Sequence, residues 1–449
     1  MKKVYIETLG CSKNQVDSEQ MLGILDESHE LSEAPEDADI VIVNTCSFIG
    51  DAKEESVDVI LSLAELKKSG GIEKLIVTGC LAQRYATELV EEIPEIDALI
   101  GTGNFYTVDS VVQSLYDGTS ENQKLFIDSV DLMVPEDLPR ILTTPSHYAY
   151  LKIAEGCDNR CTYCIIPKLR GRYRSRHIED IVEEARELAS VGVAEFILIA
   201  QDSSRYGIDL YDKPMLPNLL EELSRVEAIK WIRVHYCYPD IMDEALIEGF
   251  TKHPKVINYF DIPIQHASDS VLKRMNRKTT QASIRNTIRM IREKAPDAVI
   301  RTTVIVGFPG ETESDFEELM AFIKEIRFER LGAFKYSNEE DTPAFLLPDQ
   351  VPEEIAEERR DALMAAQMEI SEDIFYHKLG KVYQVVVEEV AEPGEIYIGR
   401  TAYDTPEIDG VVYIHTKSEL ELGSFIDVKI TDALEYDLIG EVYDENEHR

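Results

Sequence analysis

The sequence predicts an α/β protein built as three successive units: an N-terminal αβ domain, a partial (βα)6 barrel and a small C-terminal β-barrel. Three observations predict this. Short β-branched runs alternate with helical patterns as far as Tyr336, the rhythm of parallel βα units. After a helix-forming stretch over 352–376, the pattern changes to short strands joined by Gly, Pro and Asp turns. Six of the seven cysteines fall into two sets of three placed after strand candidates. A chain of 449 residues has room for about three domains.

In the first unit, residues 1–135, Cys11 ends the run Val4-Tyr5-Ile6-Glu7-Thr8-Leu9-Gly10. Cys46 ends Asp39-Ile40-Val41-Ile42-Val43-Asn44-Thr45, and Cys80 ends Lys74-Leu75-Ile76-Val77-Thr78-Gly79. In a parallel αβ sheet, residues just past the strands lie along one edge, where ligands bind. The three thiols are therefore expected to converge. A linker follows, Asp131 to Arg140 and Thr143-Thr144-Pro145, rich in turn residues.

The second unit, residues 146–374, carries six strand candidates. They are Tyr150–Ala154, Phe196–Ala200, Trp231–His235, Tyr259–Ile264, Thr303–Gly307 and Gly332–Tyr336. Barrel chemistry gathers at the C-terminal strand ends. After the first of these strands comes Glu155-Gly156-Cys157-Asp158-Asn159-Arg160-Cys161-Thr162-Tyr163-Cys164. A CxxxCxxC triad can hold three corners of a 4Fe-4S cluster and leave its fourth iron open, whereas an electron carrier uses four cysteines. Zinc would need a fourth ligand, and no His or Cys follows at zinc-ribbon spacing. Cys237 has no partner at ligand spacing and reads as structural.

The third unit, residues 375–449, has strand candidates at Val382–Val387, Glu395–Arg400, Val411–His415 and Ser424–Ile430. It holds 17 Asp and Glu against 6 Lys and Arg, a formal charge of 6 − 17 = −11. Across the chain, 86 acidic and 46 basic residues give a net charge of −40. Such a surface opposes direct nucleic-acid binding, which relies on Lys and Arg. It favours a basic protein partner. The acidic third unit is expected to dock that partner and to be removable without loss of the cysteine sites. No apolar run approaches 18 residues, so no membrane partner is expected. Unpaired thiols and oxygen-labile clusters fit a reducing cytoplasm.

With both triads in place, the chain resembles the radical S-adenosylmethionine (SAM) methylthiotransferases over its whole length. Ala200-Gln201-Asp202, Asp261-Ile262-Pro263-Ile264-Gln265-His266 and Val306-Gly307-Phe308-Pro309-Gly310-Glu311-Thr312 carry the resemblance through the barrel. Leu9-Gly10-Cys11-Ser12-Lys13-Asn14-Gln15-Val16-Asp17-Ser18-Glu19 is similar to the branch that modifies an aspartate of small-subunit ribosomal protein twelve. Ser12 departs from the proline that many members carry there. The tRNA-modifying branches, with the same chemistry on an adenosine, usually carry a different string.

The resemblance implies an N-terminal cluster domain, a radical-SAM barrel and an OB-like TRAM domain. It implies two 4Fe-4S clusters, on Cys11, Cys46 and Cys80 and on Cys157, Cys161 and Cys164, the second chelating SAM. A radical derived from SAM would abstract hydrogen from the aspartate β-carbon, and the first cluster would deliver a sulfur methylated by a second SAM. Tyr163 is expected to pack on the adenine and Gln201 to bind the SAM amino group. The turn with Gly307, Pro309 and Gly310 would let backbone approach SAM. The basic ribosomal protein, a reductant and a sulfur donor are the implied partners. Finally, Lys168-Leu169-Arg170-Gly171-Arg172-Tyr173-Arg174-Ser175-Arg176 places five basic residues in nine positions beside the cluster loop. An arginine there is expected to bind the carboxylate of SAM or substrate.

Overall fold

The computed structural model describes residues 1–119 and 123–444. Six parallel strands build the N-terminal sheet: β1 (Lys3–Thr8), β2 (Glu30–Leu31), β3 (Ile40–Thr45), β4 (Lys74–Gly79), β5 (Ala98–Ile100) and β6 (Leu125–Phe126). Their order is β2-β1-β3-β4-β5-β6, so the three strands that lead to cysteines are neighbours. Strand β3 is buried at every residue. Each buried Ile or Val contributes roughly 1.5–3 kcal/mol, so this strand anchors the sheet. Thr8 pairs with Asn44 and Asn44 with Thr78, so the chain leaves all three strands at one level.

The helix that begins after Cys11, Ser12–Asp26, is buried around most of its circumference, with Lys13, Asn14, Asp17, Ser18, Glu19 and Gln20 among its buried residues. So many buried polar groups in one helix require partners on both sides, and it has them because it is wedged between the N-terminal sheet and the barrel. The linker crosses this helix. The Ile141 amide donates to the Glu19 carbonyl, and the Glu19 carboxylate accepts from Arg140 and from the Thr143 amide.

In the middle unit, β7 (Tyr148–Lys152) is followed by a short antiparallel pair, β8 (Ala154–Glu155) with β9 (Arg174–Ser175), which brackets the CxxxCxxC loop. Next come β10 (Glu195–Ile199), β11 (Trp231–Val234), β12 (Val256–Asp261), β13 (Val299–Val306) and β14 (Arg330–Lys335). The parallel order β14-β13-β12-β11-β10-β7 matches the expected six-stranded partial barrel, with no closure between β7 and β14. Alternate side chains take opposite faces, as strand geometry dictates. Ala149, Leu151, Phe196 and Leu198 join the helices in the main core, while Tyr148, Tyr150, Ile197 and Ile199 cluster with Val16 of the N-terminal helix. The first domain thus packs into the barrel itself.

The C-terminal unit is a closed barrel of β15 (Val382–Glu392), β16 (Ile396–Thr401), β17 (Val412–His415), β18 (Phe425–Ala433) and β19 (Leu438–Val442), in the order β15-β16-β17-β19-β18. The four-strand expectation missed β19, a short Leu-Ile-Gly-Glu-Val segment whose Gly440 admits the close approach of Val428 and Lys429.

The third unit, expected to be removable, is built into the barrel by buried polar contacts. The segment from Arg400 to Asp409 seals the N-terminal end of the barrel strands. Arg400 Nη2 donates to Glu195 Oε2 at 2.6 Å, and Arg233 Nε holds the other oxygen at 2.9 Å. Asp404 pairs with Arg330, Thr405 Oγ1 meets His235 Nε2 at 2.8 Å, and Tyr148 and Tyr259 donate to Glu407 and Asp409. Glu195, Arg233 and Thr405 are fully buried, and Trp231 packs edge-on against Phe425 at 4.7 Å. Charges withdrawn from water at this depth need every one of these partners.

Candidate active site

The thiols at the N-terminal sheet edge are placed by backbone turns. Gly10 has φ +88°, and a Cβ there would lie 2.6 Å from Cys46 Cβ. Glycine therefore lets the Cys11 turn close onto Cys46. Gly79, at φ +91°, does the same for Cys80, since a Cβ would meet the Thr45 carbonyl at 2.5 Å. Asn14 Nδ2 donates to the carbonyls of Leu9 and Thr45, both at 2.9 Å, tying the first two loops together. Burial pushes the Cys80 thiol up to about 12 and also raises Cys46. Ligation by a metal is what would deprotonate such thiols.

The second triad is fixed as firmly. Asp202, just past β10, is fully buried and accepts from Asn159 Nδ2 of the CxxxCxxC loop at 2.7 Å and from Arg205 at 2.9 Å. The Cys157 amide donates to the Gly171 carbonyl. Cys161 Sγ lies 3.3 Å from the Tyr238 hydroxyl, and Arg277 stacks on Tyr238 at 4.1 Å with Nη1 3.9 Å from that sulfur. Burial raises the Cys157 thiol to about 11 and Cys164 higher still. Among the described residues, no three His, Cys, Asp or Glu side chains gather at single-ion spacing. A four-iron cube is wider than one ion and would be held by thiolates at separate corners.

The two triads are joined through the string that follows Cys11. Asp17 Oδ2 accepts from Arg170 Nη1 at 2.7 Å, and its other oxygen pairs with Lys152. Arg170 also reaches Glu155 Oε2 at 3.2 Å and donates to Asn14 Oδ1. Burial opposes ionisation of Glu155, but Arg170 and Lys152 outweigh it and hold the carboxyl below its usual range. Cys80 packs in one apolar cluster with Ile165 and Leu169, which follow the second triad. Arg84, close after Cys80, braces the same face by donating to the Ser47 carbonyl at 3.1 Å and to Glu339 at 2.9 Å.

The remaining residues singled out from the sequence divide. Gln201 Nε2 donates to Glu155 Oε1 at 2.7 Å, while Gln201 Oε1 is buried without a partner. A lone buried acceptor beside a carboxylate is complementary to an ammonium. Tyr163 packs edge-on to Phe308 at 6.5 Å. Gly307 and Gly310 have φ +75° and +79°, and the space of a Cβ is filled by Ala356 at the first and by the Arg274 guanidinium at the second.

The basic run is largely engaged within the fold. Arg176 binds Glu136 and Glu184, both at 2.6 Å, and Arg174 donates to the Arg172 carbonyl at 2.6 Å. Arg170 is spent on Asp17 and Glu155. Arg172 alone of the four arginines is exposed. Sequence reasoning missed Glu155, Asp202, Arg277 and Tyr238, whose roles depend on distant partners.

Residues 151–323 match the Radical SAM superfamily, residues 379–442 the TRAM domain, and residues 3–101 a family described as uncharacterized protein family UPF0004. Among solved structures, the radical SAM methyltransferase TsrM from Kitasatospora setae aligns with TM-score 0.57 at 14% identity, covering 82% of this chain and 89% of that one. The radical SAM enzyme OxsB aligns with TM-score 0.52 at 15% identity, over 83% of this chain and 56% of that one. These likenesses concern the fold. The ribosomal protein uS12 methylthiotransferase RimO of Clostridioides difficile strain 630 is 53% identical over 98% of this chain and 99% of its own. Its counterpart from Desulfitobacterium hafniense strain Y51 is 49% identical over 98% of each chain. Full-length identity at that level, with both triads and the joining string in place, makes this chain a member of the RimO family of ribosomal protein uS12 methylthiotransferases.

Proposed function

We propose that this enzyme transfers a methylthio group to the β-carbon of an aspartate of ribosomal protein uS12, using two 4Fe-4S clusters and SAM. The observation that carries this reading is the bridge Asp17–Arg170–Glu155, which locks two three-thiol loops of different domains onto one another. Cys157, Cys161 and Cys164 would hold the cluster with an iron open to SAM, and Cys11, Cys46 and Cys80 the second. When bound, these groups supply one-electron reduction, hydrogen abstraction from an unactivated carbon, and sulfur.

The chain supplies orientation and charge. Gln201 and Glu155 accept from the SAM ammonium, while Tyr163 and the turn with Gly307, Pro309 and Gly310 border its adenine or methionine portion. Arg277 keeps a positive charge beside Cys161. The apolar contact of Cys80 with Ile165 and Leu169 excludes water from between the loops. The units 1–135, 146–374 and 375–449 serve as sulfur-carrying domain, radical domain and support. The reading requires a reductant, a sulfur donor and a reducing cytoplasm, and no helix among the described residues is long and apolar enough to cross a membrane.

Mass spectrometry of ribosomal proteins and tRNA from cells with and without the gene tests the reading. Protein uS12 is expected to lose one methylthio group in its absence, with tRNA unchanged. Loss of a methylthio group from tRNA alone would overturn it.

A further inference from the structure

Of the buried lysines and arginines among the described residues, Lys13 alone has neither a hydrogen bond nor an ion pair. Lys152 and Arg170 are matched by Asp17, Arg233 and Arg400 by Glu195, Arg330 by Asp404 and Arg359 by Glu311, while Arg277 donates to the Pro263 carbonyl. Lys13 is 7% exposed, and its Nζ lies 4.1 Å from the centre of the Tyr236 ring. A face-on aromatic ring steadies a cation without neutralising it.

Its position is set from both domains. Lys13 opens the helix that starts after Cys11, and its neighbour Asn14 is fixed to the Leu9 and Thr45 carbonyls. Tyr236 stands just past β11 at the C-terminal end of the barrel strands. Its amide donates to Asp261 Oδ2 at 2.9 Å, and its carbonyl accepts from Ser203. The Lys13 ammonium therefore sits where the sulfur-carrying domain meets the mouth of the radical domain. Cys11 and Glu155 are its nearest acidic groups and neither reaches ion-pair distance, so a ligand carboxylate can complete the shell of a cation that burial makes costly.

Resting on the proposed methylthio transfer to an aspartate, we infer that Lys13 is the substrate-binding cation: its ammonium pairs with the carboxylate of the target aspartate and selects aspartate over asparagine. The pairing holds the side chain by its carboxylate and leaves the β-carbon turned toward the triads. The arginine-rich run, whose guanidinium groups are mostly committed elsewhere, is not needed for this contact.

The test compares uS12 with a uS12 variant carrying asparagine at the modified position, using full-length holoenzyme. Wild-type enzyme is expected to favour the aspartate protein in kcat/KM by at least tenfold, of the order that a buried charge pair confers. Lys13→Met and the similarly sized, neutral Lys13→Gln should bring that ratio close to one, mainly through KM for the aspartate protein. A wild-type enzyme that does not discriminate would overturn the inference. So would variants that lose rate on both substrates while keeping the wild-type ratio. Wild-type enzyme that modifies neither protein would instead count against the methylthio-transfer reading, a failure visible before any variant is made.

Discussion

Arg170→Ala is expected to destabilise the protein by about 3–5 kcal/mol, the cost of leaving one side of a buried ion pair uncompensated. The substitution leaves Asp17 and Glu155, both largely buried, with only Lys152 between them. It also frees Asn14 Oδ1, whose amide end positions the Cys11 and Cys46 loops. Thermal unfolding should therefore shift to lower temperature, and iron loading should fall at both triads, because one guanidinium ties them together. Arg170→Lys should recover part of the stability but not all of it, since a point charge cannot span Asp17, Glu155 and Asn14 as a planar fork does. Wild-type melting and full iron content in Arg170→Ala would show that the triads are positioned independently.

Ending the chain at residue 374 is expected to abolish the folded state of the barrel. The truncation removes Arg400 from Glu195, Asp404 from Arg330, Thr405 from His235, and the acceptors of Tyr148 and Tyr259. Glu195 keeps Arg233, but Arg330 loses both of its carboxylates and Trp231 loses the cover of Phe425. A loss of a few kcal/mol is a large part of the roughly 5–15 kcal/mol that holds a typical domain together. Soluble expression and a cooperative melt are the measurements. A truncated protein that melts like the full chain would mean that the seal on the barrel adds no stability.

The fold was readable in the sequence where hydrophobic pattern determines structure. Runs such as Ile40-Val41-Ile42-Val43 can only be buried strands at this length, and six such runs place the radical barrel. The cysteines were readable because each follows such a strand. What the sequence did not disclose lies in polar contacts between distant segments. Asp17 and Arg170 are 153 residues apart, and Arg400 and Glu195 are 205 apart; no periodicity records a pairing at that separation. The arginine-rich run looked like a substrate site because its partners Glu136, Glu184 and Asp17 could not be matched to it from spacing alone. Gly307 and Gly310 were readable as a turn, but their neighbours Ala356 and Arg274 come from other helices. Strand β19 escaped because Gly440 interrupts its short apolar run.

The central claim is that two three-thiol sites serve one reaction, and the most direct measurement is iron content with SAM cleavage in two triple variants. Reconstituted wild-type protein should carry about eight irons per chain, as two four-iron clusters require. Replacing Cys157, Cys161 and Cys164 with Ala should halve the iron and abolish SAM cleavage. Replacing Cys11, Cys46 and Cys80 with Ala should also halve the iron while SAM cleavage persists and uS12 goes unmodified. Unchanged iron in the second variant, or uS12 still methylthiolated by it, would contradict the account.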